Sequence, residues 1–229
     1  MRSAAARRRI VGRTQATLRA GLTVAAGVGI ALGLNGCGTL FTAGAPRLES
    51  LDERRVRLAL EVAEGAYAVH PSEASLLFAS APFAEFGGLG DGEARPGDGF
   101  VLHAQLLWVP KPGTTPIDPT ATNVTLRWVV FSAGEVGVYG GAGFCWPDGE
   151  VGKDPLVLDI EASTLSLIAS TPGFVDRASP ASISGRFRAP YRPAAALEMR
   201  QRVSRLVTEA VGRAYWVDAA PSRRHLAVR

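Results

Sequence analysis

From residue 54 to residue 189 the chain repeats one device: a short run in which apolar and polar residues alternate, closed by Gly or Pro. Val124, Leu126, Trp128 and Val130 alternate with Thr125, Arg127 and Val129. A period of two puts each set on its own side of a strand, and a helix would scatter both sets around its surface. The same pattern marks "EASLLFAS", "GFVLHAQLLWV", "EVGVYGGAGFCW", "PLVLDIEASTLSLIAS" and "SISGRFRA". Ala133-Gly134 separates two of these runs at hairpin spacing. "PKPGTTPIDP", with prolines 110, 112, 116 and 119, interrupts the series; proline fixes φ and cannot donate to a ladder, so this segment is a loop. Around residue 54 two signals conflict. Ser50-Leu51-Asp52-Glu53 fits a helix-opening capping box, whereas Val56, Leu58, Leu60 and Val62 alternate as a strand. A strand over 54–69 is expected, because on a helix those four residues share no stripe. The fold class is mainly β: an antiparallel β-sandwich, or a partly open barrel, of about seven strands.

Residues 193–217 break the rhythm. Leu197, Val203, Leu206, Val207, Ala210, Val211 and Ala214 recur at steps of three and four, with Arg, Gln, Ser and Glu between them. Pro193 suits the first turn, and Glu198 with Arg202 is a favourable i,i+4 pair. A C-terminal amphipathic α-helix is expected, its stripe closing one face or end of the sheet. The expected division is a domain over 51–218 and a basic tail over 219–229.

The N-terminal part follows another logic. Arg2, Arg7, Arg8, Arg9, Arg13 and Arg19 precede a segment, Ala20 to Pro46, without any charge, whose apolar centre is weakened by Gly27, Gly29 and Gly33. A basic start, a short apolar centre and a small-residue exit describe a secretory signal; a spanning helix needs about 20 predominantly apolar residues. The exit is Leu34-Asn35-Gly36-Cys37. It resembles the lipobox of bacterial lipoproteins. The resemblance implies cleavage of residues 1–36, attachment of acyl chains to Cys37, a lipidated tether over 37–50, and a membrane partner reached through that anchor. Each buried methylene contributes about 0.8 kcal/mol, and two or more chains are needed for firm anchoring. Arg7-Arg8-Arg9-Ile10-Val11 also resembles a twin-arginine export signal, a receptor-read address.

The charge of the whole chain, +4, invites a nucleic-acid reading. Residues 1–36 hold six Arg and no acid, so the remainder carries 19 basic against 21 acidic residues, a net of −2. Nucleic-acid binding needs clustered positive charge, and no nucleic-acid partner is expected. The balance is uneven: 37–190 carries −7 and 191–229 carries +5. Either two faces attract, or a basic tail lies near anionic headgroups. With Cys37 acylated, Cys145 has no disulfide partner.

No strong catalytic signature stands out. His70, His103 and His225 share no ligand spacing, and no metal or other cofactor is expected. Cys145 lacks a neighbouring base, and an inert buried thiol is the ordinary explanation. Gly140, Gly141 and Gly143 run into Phe144, Cys145 and Trp146 with no helix after them, which fits a close approach of strands better than a phosphate loop. Asp159 and Glu161 share one strand side, as a solvated polar face does. The candidate recognition element is the Pro-rich loop with its flanks: Trp108, Lys111, Thr114, Thr115, Asp118, Thr120, Asn123 and Trp128. Taken together, these features describe a lipid-anchored cell-envelope protein with a non-catalytic binding or structural module, whose partner is another envelope protein or a small ligand. The alternatives are an envelope enzyme with a dispersed site, using His103, Asp118 or Cys145, and an accessory factor in export or envelope assembly.

Overall fold

A computed structural model describes residues 44–53, 56–86, 97–111, 121–153 and 155–215. The alternating runs are strands: β1 (Arg47–Ser50), β2 (Arg57–Ala59), β3 (Glu64–His70), β4 (Glu73–Ala79), β5 (Gly99–Leu106), β6 (Val124–Ser132), β7 (Glu135–Gly143), β8 (Cys145–Asp148), β9 (Leu156–Ser170) and β10 (Ala181–Ala189). One helix, α1 (Pro193–Val211), follows. All pairings between strands are antiparallel, in the order β2-β1-β10-β9-β7-β6-β5-β4-β3, with β8 also paired to β9. The protein is mainly β, and its strands form one sheet curled into a half-barrel, the partly open form of the two architectures that the sequence admits.

The strands outnumber the expected seven for local reasons. β1 lies inside the segment expected to be a tether; its four residues pair with β10 and β2. The capping-box residues form no helix. Ser50 instead hydrogen-bonds the Asp52 carboxylate and accepts the Asp52 N–H at 3.3 Å, turning the chain out of β1. The expected strand over 54–69 divides into β2 and β3 where Leu60 N–H donates to Pro46 O at 2.9 Å. The run after Glu135 divides at Phe144 into β7 and β8. Between β6 and β7, Ala133 and Gly134 take φ of 51° and 77°, the primed two-residue turn whose twist matches a hairpin. The glycines of β7 serve close approach, as expected: a Cβ at Gly141 would lie 1.7 Å from Thr164 O of β9.

Period-two alternation sorts the core onto both faces of the sheet. Inside the curl lie Leu76, Phe78, Leu102, Leu126, Trp128, Tyr139, Leu158, Ile183 and Phe187, among others. Outside lie Ala66, Leu77, Val101, Val129, Phe131, Val136 and Val138, covered by Ala196, Met199, Val203, Leu206 and Val207 of α1. β4 is therefore buried on both faces, which explains why its sequence reads as a nearly unbroken apolar run. Each of the larger α1 side chains contributes about 1.5–3 kcal/mol by burial. The helix stripe differs from the expected one. Met199 and Ala196 are buried while Leu197 is 44% exposed. The helix ends at Val211, where Gly212 adopts a left-handed φ of 68°, short of the expected 217. Arg192 pairs with Glu64 and Arg200 approaches Glu73, so basic side chains at and in α1 reach acids of the sheet.

Cys37 and the signal, Thr114, Thr115, Asp118 and Thr120 of the Pro-rich loop, and the tail lie outside the described residues. No helix among the described residues is long and apolar enough to cross a membrane.

Candidate functional site

The candidate loop residues that are described do not form one patch. Asn123 is 3% exposed and spans β6 and β8: its side-chain N–H donates to Cys145 O at 3.0 Å, and its side-chain oxygen accepts the Cys145 N–H at 2.9 Å. It holds two strands together and presents no side chain to a partner. Trp128 is 4% exposed and stacks with Tyr139 at 4.9 Å and Phe100 at 6.4 Å. Trp108 packs on the inner core. Lys111 borders a cavity of about 460 Å³ with Val69, Val109, Pro110, Glu150 and Tyr191.

The residues of the enzymatic alternative are also kept apart. His103 points to the outer face, between Leu102 and Ala104, which point inward; Cys145 belongs to the inner core. Burial pushes the Cys145 thiol up to about 12, Asp159 adding to it, so the thiolate nucleophile is suppressed. Burial, with Arg200 and Arg127 nearby, lowers His103 to about 3. Asp159 accepts both Nε–H and Nη2–H of Arg186 at 3.0 Å, and Glu161 accepts the Trp146 indole N–H at 2.7 Å. These two carboxylates are spent on neighbouring strands. Among the described residues no group of three or more His, Cys, Asp or Glu side chains is arranged to hold a metal ion.

His103 does sit in a polar cluster under α1. Its Nε2 lies 2.7 Å from Ser75 Oγ, both residues being 2% exposed. Arg127 is directly across the ladder, over Gly140, whose missing side chain makes room: a Cβ there would lie 2.9 Å from Arg127 Nη1. Gln105 bonds Glu73, and Glu73 faces Arg200 at 3.9 Å. A neutral imidazole bonded to a serine resembles half of a nucleophilic pair, but a serine nucleophile requires its base to accept a proton at working pH. A histidine titrating near 3 between two guanidinium groups does not. The cluster joins helix to sheet.

The arrangement that can take a ligand lies elsewhere, at the hairpin end of β6 and β7. Curling brings edge strand β2 across the inner side of this hairpin. Leu58 from β2 and Val56 just before it, Trp128 and Val130 from β6, Tyr139 from β7, and Phe174, Val175, Arg177 and Ala178 from the β9–β10 loop line about 460 Å³. The aromatic floor is fixed by packing: Phe174 lies over Gly137, where a Cβ would come within 2.2 Å of the ring, and stands edge-on to Tyr139 at 6.3 Å. The loop is pinned by Asp176, which accepts Tyr139 O–H at 2.8 Å and the N–H groups of Ala178 and Ser179 at 3.0 Å. Burial, with that bond to Asp176 adding to it, pushes the Tyr139 phenol well above its ordinary range. Glu135 accepts the Gly173 N–H at 3.3 Å. The Trp128 indole N–H is buried without a hydrogen-bond partner, and Arg177 makes no ion pair among the described residues. Volume, apolar lining and a few polar groups match ordinary small-molecule sites.

Of these residues only Trp128 is in the expected recognition set. "TPGFVDRASP" carries the available signal: Phe174 and Val175 are large apolar residues in a turn-rich segment where polar ones are usual, and Val175 is 67% exposed.

Compared with protein-family models, curated proteins and solved structures, the chain matches none.

Proposed function

We propose that this is a lipid-anchored protein of the bacterial cell envelope whose half-barrel binds a small apolar ligand at the hairpin end, without catalysis. The binding function is carried by the cavity of about 460 Å³ over Trp128, Tyr139 and Phe174. The location is carried by Leu34-Asn35-Gly36-Cys37 at the end of an uncharged segment. The separation of His103 from Cys145 across the sheet weighs against a Cys–His enzyme.

Mass spectrometry of the full chain extracted from its own membrane tests both halves. Under denaturing conditions the expected species starts at Cys37 and carries acyl chains, and Cys37→Ala yields only unacylated precursor. Under native conditions an additional non-covalent mass is expected, lost on denaturation. An unacylated Cys37, or acylation that persists in Cys37→Ala, contradicts the anchor; a native mass equal to the denatured one contradicts the ligand site.

A further inference from the structure

We infer that the hairpin-end cavity takes an amphipathic anion, a hydrocarbon body on the aromatic floor with a single negatively charged head held by Arg177. This rests on the cavity being the ligand site and adds the class of ligand. One acid, Glu135, and one base, Arg177, line it, and a second acid, Asp176, is bonded to the lining residue Tyr139. Asp176 accepts three hydrogen bonds from Tyr139, Ala178 and Ser179. Glu135 accepts from Gly173, across the hairpin end. Arg177 is exposed, borders the same space, and has no acidic partner among the described residues. Glu135 keeps its charge while accepting that bond, and Arg177 is the one cation lining the cavity among the described residues; its guanidinium fork matches a carboxylate or a phosphate.

The remaining lining selects the body. Val56, Leu58, Val130, Phe174 and Val175 offer no hydrogen bonds from their side chains, so a hydrocarbon body suits this part of the lining, apart from Ser132 and Glu135 at the hairpin turn. Leu58 and Val175, 42% and 67% exposed, extend the apolar surface past the rim and give a chain longer than the cavity somewhere to lie.

A free fatty acid and the phosphate end of a lipid present the same chemistry, and titration distinguishes them. Full chain in nanodiscs of neutral phosphatidylcholine is titrated with decanoate, decyl phosphate and decanol, reading tryptophan fluorescence against empty nanodiscs. The anions are expected to bind about three- to fivefold tighter than decanol, the range of a part-exposed charge pair. The tighter anion then names the source. In Arg177→Gln the advantage falls to about one, and Leu58→Glu, which places a negative charge at the rim, weakens the anions more than it weakens decanol. If decanol binds as tightly as decanoate and decyl phosphate, and neither variant changes the ratio, the anionic head is wrong while the cavity reading stands. If none of the three binds the wild-type chain, the cavity reading itself fails and the inference falls with it.

Discussion

On the outer face of the sheet, Ser75, His103 and Gln105 lie beneath α1, which contributes Arg200; on the inner face, at the hairpin end, Trp128 and Tyr139 lie beneath only a loop and an edge strand. Both regions combine buried polar atoms with a nearby guanidinium, and they use it differently. The outer cluster matches most of its groups internally: serine meets histidine, glutamine meets glutamate, and Arg200 approaches that same glutamate through Nη1 while its Nε stays buried without a hydrogen-bond partner among the described residues. The inner site leaves Arg177 exposed at the cavity with no acidic partner among the described residues. A catalytic-looking pair of residues is thus less informative than the question of whether its valences are already filled.

The contrast can be broken most forcefully through pH. His103 has a folded value of about 3 against 6.5 in the unfolded chain, so below pH 6.5 the unfolded chain takes up a proton that the folded one refuses. The stability this represents is complete above pH 6.5 and is lost as pH falls through the window towards 3. Between pH 7 and pH 5 the loss attributable to His103 is about 2 kcal/mol, read from urea midpoints. In His103→Gln this part of the slope disappears. An unchanged slope would mean that the imidazole is protonated in place and that the outer cluster is open to water.

A smaller effect separates the two arginines. Arg200→Gln removes a pair with only 11% and 26% side-chain exposure and is expected to cost about 1 kcal/mol. Arg177→Gln, at an exposed position without an acidic partner, is expected to stay within about 0.5 kcal/mol of wild type. Equal costs would erase the distinction between a structural and a ligand-facing guanidinium.

The strands were legible because alternation is local: the residues that make β4, β5, β6, β9 and β10 are contiguous and bounded by their own Gly and Pro. α1 was legible for the same reason, although its exact stripe was not, because Met199 and Leu197 differ only in what lies opposite them. β1 was missed since Arg47–Ser50 is too short to show a period and becomes a strand only by pairing with β10, more than a hundred residues away. The site was less legible still. Trp128 was in the candidate set as a flank of the Pro-rich loop, yet its partners in the cavity come from β2, β7 and the β9–β10 loop, which meet only when the sheet curls. Asn123 looked like a polar loop residue, and only the position of Cys145 shows that both ends of its amide are used inside. His103 looked like a stray base, and its neighbours Ser75, Arg127 and Arg200 come from three other elements, β4, β6 and α1.

The location of the site can be measured without knowing its natural ligand. A fatty acid carrying a diazirine is photolysed with the full chain in its membrane, and the adducts are mapped by peptide mass spectrometry. Labelling is expected at Leu58, Val130, Tyr139 and Phe174, suppressed by excess decanoate. Adducts concentrated at Val69, Val109 and Tyr191, around the cavity at the opposite end of β5 and β6, or beside α1 at Phe83 and Met199, would contradict that site.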